Sequence, residues 1–288
     1  MKSFKSVFIC VFMVLCSCNL SQESTIQVNF ANDCSPQQQA EAHQVIIDRI
    51  ETVYKVKKFT QPKDGSFSVT YFPKEDLEIV NDLLEKKGEI IIYESYFASE
   101  IKDLLSDVIE EESMLYHFFG SVPYNPNYQN PVIGTVQEKD MAFIDSLLCR
   151  EEIKMRLPKD ASLLWTKKDV SFGNAAHSLI AVKMNNSMPL NQKTVKKASL
   201  EKSYDNGIMI ELHPDFHQKW AAMTKNNINR NLPFVCDGTI LSYPKVMTEI
   251  TGGRLSIISN FTTEETYVIL GFTKGGVLNC PAYIGDPK

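Results

Sequence analysis

The order of strand-like and helix-like segments between residues 25 and 97 constrains the fold of this 288-residue chain more than any other feature of its sequence. The segment opens with TIQVNF, which alternates apolar and polar residues as a half-buried strand does. Ser35 and Gln38 then stand at the spacing of a capping box, with a proline at the first helical position. A strand followed by a helix is therefore predicted.

The next segments extend this order to six elements. A turn at Asp64-Gly65 joins VYKVKKF to SFSVTYF, which alternates in the same way. A second helix is predicted from about Glu75 to Lys87, and EIIIYES follows it as a strand. The order β-α-β-β-α-β is that of the ferredoxin-like split βαβ unit, in which two helices cover one face of an antiparallel sheet. We therefore predict an α+β fold whose base occupies residues 25–97 and is closed by EIIIYES.

The remainder of the chain predicts a connector and a second α+β unit. The connector, residues 98–132, holds a helical segment from about Ser99 to Glu112 and the loop VPYNPNYQNPV, which is rich in proline and asparagine. Residues 133–288 mix strands and helices without regular βα repetition, which is typical of an α+β head and not of a doubly wound sheet.

Local signals within the head mark helix starts and turns. Capping boxes are predicted at Thr135-x-x-Glu138 and at Thr262-x-x-Glu265. Two further positions are predicted as structural turns, because glycine and aspartate tolerate positive φ there. They are a hairpin turn at Asp237-Gly238 and a sharp turn at Gly252-Gly253.

The N-terminus predicts export and lipid attachment. Residues 1–17 carry two lysines ahead of an apolar run that is short for a membrane span, as a secretory signal does. The run ends in Leu15-Cys16-Ser17-Cys18, which resembles a bacterial lipobox. We expect Cys18 to carry the lipid that anchors the protein to a bilayer, and residues 18–24 to form a tether. The alternative is a plain cleaved signal in which Cys18 only lies near the cut.

The net charge argues against one class of partner, and the cysteine content bears on disulfide formation. Removing the signal and its two lysines changes the net charge from −5 to −7, which argues against a nucleic-acid partner. Four cysteines then remain besides Cys18, and four cysteines allow three disulfide connectivities in an exported protein. They are Cys34, Cys149, Cys236 and Cys280, and their spacing fits no zinc motif. Cys236 lies in an apolar run, which favours a small buried residue.

No catalytic constellation is evident in the sequence. His213 and His217 have the i, i+4 spacing that can chelate a metal on a helix, but Pro214 lies between them and no zincin glutamate follows. Solvated or capping roles are the more economical interpretation of both histidines. We therefore expect no enzyme activity, no metal site and no cofactor.

The stretch from Lys219 to Glu265 carries an ordered set of motifs. They are KWAAMTKNNI on a predicted helix, an apolar strand running into Asp-Gly, then Ser-x-Pro, an Ile-x-Gly-Gly turn and Asn-Phe-Thr-x-Glu-Glu at a helix start. This series resembles the head of the first periplasmic domain of SecD, particularly the SecD half of fused SecDF proteins. Upstream, IIDRIETVYKV and FSVTYFPKEDLEIVNDLLEKKGEIIIYES resemble the base of that domain. Asn229 departs from the pattern, because the family favours glycine at its position.

The resemblance implies a head that contacts emerging polypeptide during protein export. SecD also has membrane helices that couple proton flow to export, whereas no segment after Cys18 approaches the roughly 18 apolar residues that span a bilayer. We therefore expect a non-enzymatic lipoprotein of the bacterial cell envelope, facing the periplasm, that binds unfolded, extended polypeptide or a partner from the export machinery. The alternative is a structural lipoprotein that uses the same scaffold for an unrelated envelope or surface ligand.

Tyr243, beside Pro244, is the predicted contact residue of the head, because aromatic side chains dominate binding hot spots. Packing of Tyr243 in the core of the head is the alternative.

Overall fold

The computed structural model describes residues 23–72, 77–122, 130–169, 176–201 and 206–285. The signal segment, Cys18 and residues 123–129 of the proline- and asparagine-rich loop lie outside them. Helices and strands are both abundant and do not alternate regularly, which confirms the α+β class.

The described residues form thirteen strands and nine α-helices. The strands are β1 Ser24–Phe30, β2 Lys55–Phe59, β3 Ser66–Phe72, β4 Ile90–Ser95, β5 Val132–Val136, β6 Ala161–Trp165, β7 His177–Leu190, β8 Val195–Leu200, β9 Ile208–Leu212, β10 Phe234–Cys236, β11 Thr239–Ser242, β12 Arg254–Ile257 and β13 Ala282–Ile284. The helices are α1 Pro36–Val53, α2 Leu77–Glu85, α3 Ala98–Leu104, α4 Ser106–Glu111, α5 Ser113–Gly120, α6 Glu138–Leu148, α7 Glu151–Lys154, α8 His217–Asn226 and α9 Thr263–Gly275.

The first sheet has four strands in the order β13-β1-β3-β2, and each neighbouring pair is antiparallel. Helix α1 begins with the predicted capping box, in which Ser35 and Gln38 each accept a backbone N–H from the other residue. Helices α1, α2 and α9 pack together, and Ile50 of α1 shares one buried core with Val69 of β3. This sheet with its helices is the base.

EIIIYES, which the sequence predicts as the closing strand of the base, lies in a different sheet. As β4 it pairs with β10 and β7, and the C-terminal strand β13 lies beside β1 in the base instead. The reason is that β4 is apolar on both faces. Ile90 and Ile92 enter the main core, whereas Tyr93 faces a second apolar cluster. Such a strand is stable only where both of its faces are covered.

The sheet that contains β4 closes into a small barrel. Its strand order is β11-β10-β4-β7-β5, with β6 also paired to β7. Immediately after β6, Thr166 forms a parallel bridge with Ile240 of β11, and the Lys167 N–H donates to the Ile240 carbonyl at 2.9 Å. This contact joins β6 to β11. Apolar side chains fill the interior; they are Tyr93, Val132, Ile180, Val182, Val235 and Ile240.

The third sheet, β12-β9-β8, packs its apolar side chains into the same core as the base. Helix α9 follows it and starts with the predicted capping box of Thr262 and Glu265. The box predicted at Thr135 and Glu138 is wrong. Thr135 is paired with β7 inside β5, and α6 begins after Gln137 without a side-chain cap. Strand pairing therefore prevails over a local capping signal at that position.

The connector is helical, but the helix predicted from Ser99 to Glu112 is interrupted. Leu105, with φ of −111° and ψ of 9°, separates α3 from α4, and α5 follows. Together with α6 and α7 these helices bury their own apolar cluster, to which β7 also contributes. None of the described helices has both the length and the apolar composition needed to cross a bilayer.

Arg49 joins three parts of the base. Its side chain is 0% exposed, and its guanidinium donates to the carbonyl oxygens of Leu83, Lys86, Lys87 and Gly276 at 2.6 to 3.0 Å. These carbonyls lie at or just beyond the C-terminal ends of α2 and α9, where a helix leaves its last carbonyls without partners. Burial lowers the pKa of Arg49 to about 10, so the guanidinium is still charged at neutral pH.

Cys34 and Cys280 form a disulfide, which is one of the pairings that the sequence leaves open. It links the segment before α1 to the segment before β13, on residues 246 apart in sequence. Cys149 is exposed and Cys236 is half-buried, and both are free thiols. Burial raises the pKa of the Cys236 thiol to about 12, and the residue forms no disulfide, although it is half-buried and not fully buried as the sequence predicts.

Candidate functional site

The turn at Asp237-Gly238 joins the barrel to the base. Both residues have positive φ, 47° and 82°, as a tight hairpin between β10 and β11 requires. The Asp237 carboxylate accepts the backbone N–H groups of Gly88 and Glu89, each at 2.8 Å. Gly88 and Glu89 lie between α2 and β4. Asp237 therefore fixes the tip of the hairpin against the base in addition to forming the turn.

The turn at Gly252-Gly253 positions β12. Only Gly253 has positive φ, 63°, and a Cβ atom there would overlap the His217 ring, whereas a Cβ at Gly252 would meet open space. One ring nitrogen of His217 lies 3.2 Å from the carbonyl oxygen of Leu212, the last residue of β9. This side chain therefore contacts the end of that strand. No group of three or more metal-ligating side chains occurs in the described part of the chain, and the pair with His213 lacks further ligands there.

Gly253→Val should lower the free energy of unfolding by roughly 1–3 kcal/mol, because valine is disfavoured at positive φ and would displace His217. Gly252→Val is the matched control, and we expect it to cost well under half as much. Thermal unfolding of both variants measures the difference. Equal melting temperatures for the two variants would contradict this assignment of the strained position.

Two loop segments form a short ladder that places Pro244. The Leu232 N–H donates to the Pro244 carbonyl at 3.0 Å, and the Asn229 N–H donates to the Val246 carbonyl at 2.8 Å. Asn229 has a φ of 69°, a conformation that asparagine adopts more readily than most residues other than glycine. This explains how asparagine can stand at a position where glycine is expected from the resemblance.

Beside this ladder lies a cavity of about 270 Å³, which we call the apolar hollow. Its wall brings together α8, β10, β12 and the loop after Pro244. The apolar side chains that line it are Trp220, Leu232, Phe234, Val246, Ile250 and Leu255. Met247, also in its lining, is 69% exposed. The site therefore combines a buried apolar wall with an accessible and adaptable side chain.

Trp220, in the wall of the apolar hollow, carries an unsatisfied donor. The side chain is 3% exposed, and its indole N–H has no hydrogen-bond partner among the described residues. A buried donor of this kind is costly unless a ligand or water accepts its hydrogen bond. The apolar hollow, lined by the apolar part of Trp220 and its neighbours, can thus hold an apolar group.

Tyr243 lies on the other side of Pro244, in a second cavity of about 350 Å³. This cavity is more polar, since Lys167, Lys168 and Asp169 also line it. The Tyr243 side chain is half-buried and packs against the apolar cluster inside the barrel. Pro244 lines both cavities, so Tyr243 is a neighbour of the apolar hollow but is not part of its wall.

The residues with the strongest binding chemistry were not singled out from the sequence. The sequence predicts Trp220 on a helix face and Met247 in a loop. Only the fold brings both residues to one cavity with Leu255. An isolated Met between a proline and a double glycine is the one local signal that could have drawn attention to this loop.

Comparisons with known proteins agree with this architecture. Residues 173–279 match the family described as SecDF, P1 head subdomain. The protein translocase subunit SecD of Rickettsia conorii is 25% identical over 240 residues, which is 75% of this chain and 44% of that protein. SecD of Rhodothermus marinus is 26% identical over 166 residues, 57% of this chain and 27% of that protein. The chain thus spans less than half the length of either relative.

Among solved structures, one of a membrane component SecDF that enhances protein export aligns with a TM-score of 0.45 and 14% identity. The alignment covers 92% of this chain and 99% of that one. The similarity to SecD therefore rests on the sequence matches, which include residues 173–279 and extend over 75% of the chain. The chain is similar to SecD over most of its length, and its residues 173–279 match the SecDF P1 head subdomain.

Proposed function

We propose that this protein is a non-enzymatic lipoprotein of the bacterial cell envelope, anchored through Cys18 and facing the periplasm, whose head binds extended polypeptide. Its relatives named SecD are protein translocase subunits, so the export machinery is the proposed partner. The lipobox resemblance at Leu15 to Cys18 supports the anchor.

The apolar hollow is the observation that carries the binding proposal. A polypeptide offers two chemical features at every residue: a side chain, often apolar, and a carbonyl oxygen. The apolar hollow presents the complement of the first, because its wall is apolar. Met247 at the accessible side can adjust to side chains of different shape.

Binding can be followed through Trp220 itself, because the chain has only two tryptophans. In a Trp165→Phe background, titration with a ten-residue peptide that alternates leucine with threonine should change Trp220 fluorescence. Met247→Asp should weaken binding roughly tenfold through loss of apolar contact. Trp220→Phe replaces the indole by a smaller ring and so removes part of the apolar wall, and we expect a loss of affinity of about fivefold, measured by peptide anisotropy.

The matched control for the first variant is Met155→Asp. Met155 is 78% exposed at the end of α7 and does not line the apolar hollow, so its substitution should leave affinity unchanged. No binding by the parent protein, or equal affinity for the Met247 and Met155 variants, would refute the apolar hollow as the binding site. Tyr243 stays a candidate contact on the far side of Pro244.

Cys18→Ser tests the anchor independently. The lipid requires the cysteine sulfur, so this variant should leave the membrane fraction or accumulate as an unprocessed precursor, whereas wild type should resist a high-salt wash. Fractionation and intact mass report the outcome. A variant with the mass and membrane association of the wild type would show that Cys18 is not the attachment site.

A further inference from the structure

Strand β12 has an open edge. It is the terminal strand of the sheet β12-β9-β8, so one of its sides pairs with β9 and no described strand pairs with the other. The Leu212 N–H donates to the Gly253 carbonyl at 2.8 Å, so Gly253 and Leu212 form a hydrogen-bonded pair between the two strands. Because antiparallel pairs alternate, Leu255 and Ile257 bond to β9, and the backbone groups of Arg254 and Ser256 point away from it.

The open edge and the apolar hollow are adjacent. Leu255 and Ser256 both line the apolar hollow, so the residue whose backbone points outward also borders the cavity. The Ser256 hydroxyl is engaged with Glu201 at 3.2 Å, which leaves its backbone as the group available to a ligand. A peptide strand placed at this edge would have its side chains within reach of the apolar hollow.

Three other sheet edges in the described residues are less suited to accept a strand. Edge strand β2 carries exposed lysines at positions 55, 57 and 58, and β8 carries them at 196 and 197. Lysines of this kind discourage pairing with another chain. The outer side of β11 is occupied by Thr166 and Lys167, which close the barrel.

We propose that an extended polypeptide segment adds to the open edge of β12 as a further antiparallel strand, bonded to the Ser256 backbone, with one apolar side chain in the apolar hollow. This inference rests on the proposed function and specifies its binding mode. Main-chain hydrogen bonds supply affinity in such additions, and a side-chain pocket supplies selectivity.

Local charge favours a segment with acidic residues next to the apolar one. Arg254 is exposed at the start of β12, although the chain as a whole has a net charge of −5. The alternating leucine and threonine peptide should bind several-fold more tightly with glutamates at its ends than with lysines. The difference should shrink as salt is added, since Arg254 is exposed to solvent.

Ser256→Pro removes the outward N–H that borders the apolar hollow. Proline is tolerated on an edge strand at such a position, because the N–H makes no ladder bond within the protein. Ser256→Ala is the matched control, since it loses the hydroxyl but retains the N–H. With the full mature chain and the glutamate-ended peptide, we expect the proline variant to lose at least tenfold in peptide affinity. The affinity of the alanine variant should change less than twofold.

Peptide chemistry gives a second measurement that does not depend on the folding of a variant. Two versions of the peptide are N-methylated, one at each leucine and the other at each threonine. In an added strand, the N–H groups of either the leucines or the threonines face β12, but not both. One methylated version should therefore lose binding, and the other should keep it. Equal binding by both versions, loss of binding by both, or unchanged affinity of Ser256→Pro would overturn strand addition. Failure of the unmodified peptide to bind wild type would instead refute the proposed function.

Discussion

Arg49→Met is expected to lower the free energy of unfolding by roughly 3–5 kcal/mol, because it deletes a buried donor group that serves four backbone carbonyls. Methionine fills much of the volume but offers no hydrogen. The carbonyls of Leu83 and Gly276 are buried around the guanidinium, so they would lose their partner without gaining water. Thermal unfolding should show a drop on the order of 10 °C.

Two control variants separate hydrogen bonding from charge. Arg49→Lys keeps the positive charge but not the planar set of donors, so it should recover only part of the lost stability. Arg150→Met removes an arginine whose ion pairs with Glu112 and Glu152 are partly exposed, and we expect a change below about 1 kcal/mol. Similar melting temperatures for the Arg49 and Arg150 variants would contradict the role assigned to Arg49.

Removing the disulfide with the double variant Cys34→Ser, Cys280→Ser should cost about 2–5 kcal/mol. The bond connects residues 246 apart, so it restricts nearly the whole unfolded chain, and Cys280 is fully buried in the core of the base. Reduced wild type and the double variant should unfold at the same temperature, below that of the oxidised protein.

Cys149→Ser is the matched control for this experiment, because Cys149 is an exposed free thiol at the end of α6. Its melting temperature should equal that of wild type under oxidising conditions. A double variant as stable as oxidised wild type would show that packing of β13 alone holds the base together.

Sequence reasoning was most accurate where the deciding interactions are local. The capping boxes at Ser35 and Thr262 and the turn at Asp237 each depend on residues within a few positions of one another. The predicted box at Thr135 failed for a non-local reason, since its residue is held in a strand by β7. Local signals are thus dependable only where no sheet partner competes for the same backbone.

Strand partners and the binding site could not be derived in this way. Strand β4 follows α2 directly in sequence, yet its partners β7 and β10 are remote, because its two apolar faces require an interior position. The same holds for the apolar hollow. Its wall joins Trp220, Phe234 and Leu255 from three separate elements, and the missing acceptor of the Trp220 N–H is visible only once the helix is packed.

The pairing of β13 with β1 imposes an order on the assembly of the protein. A chain made from its N-terminus presents β1, then every strand of the barrel, and only afterwards β13. Until β13 is made, β1 has one unpaired side and Cys34 lacks its disulfide partner Cys280. Closing a loop that encloses the entire head is entropically costly and slow. The barrel can therefore form first, and the base, although it contains the earliest residues, reaches its final structure last.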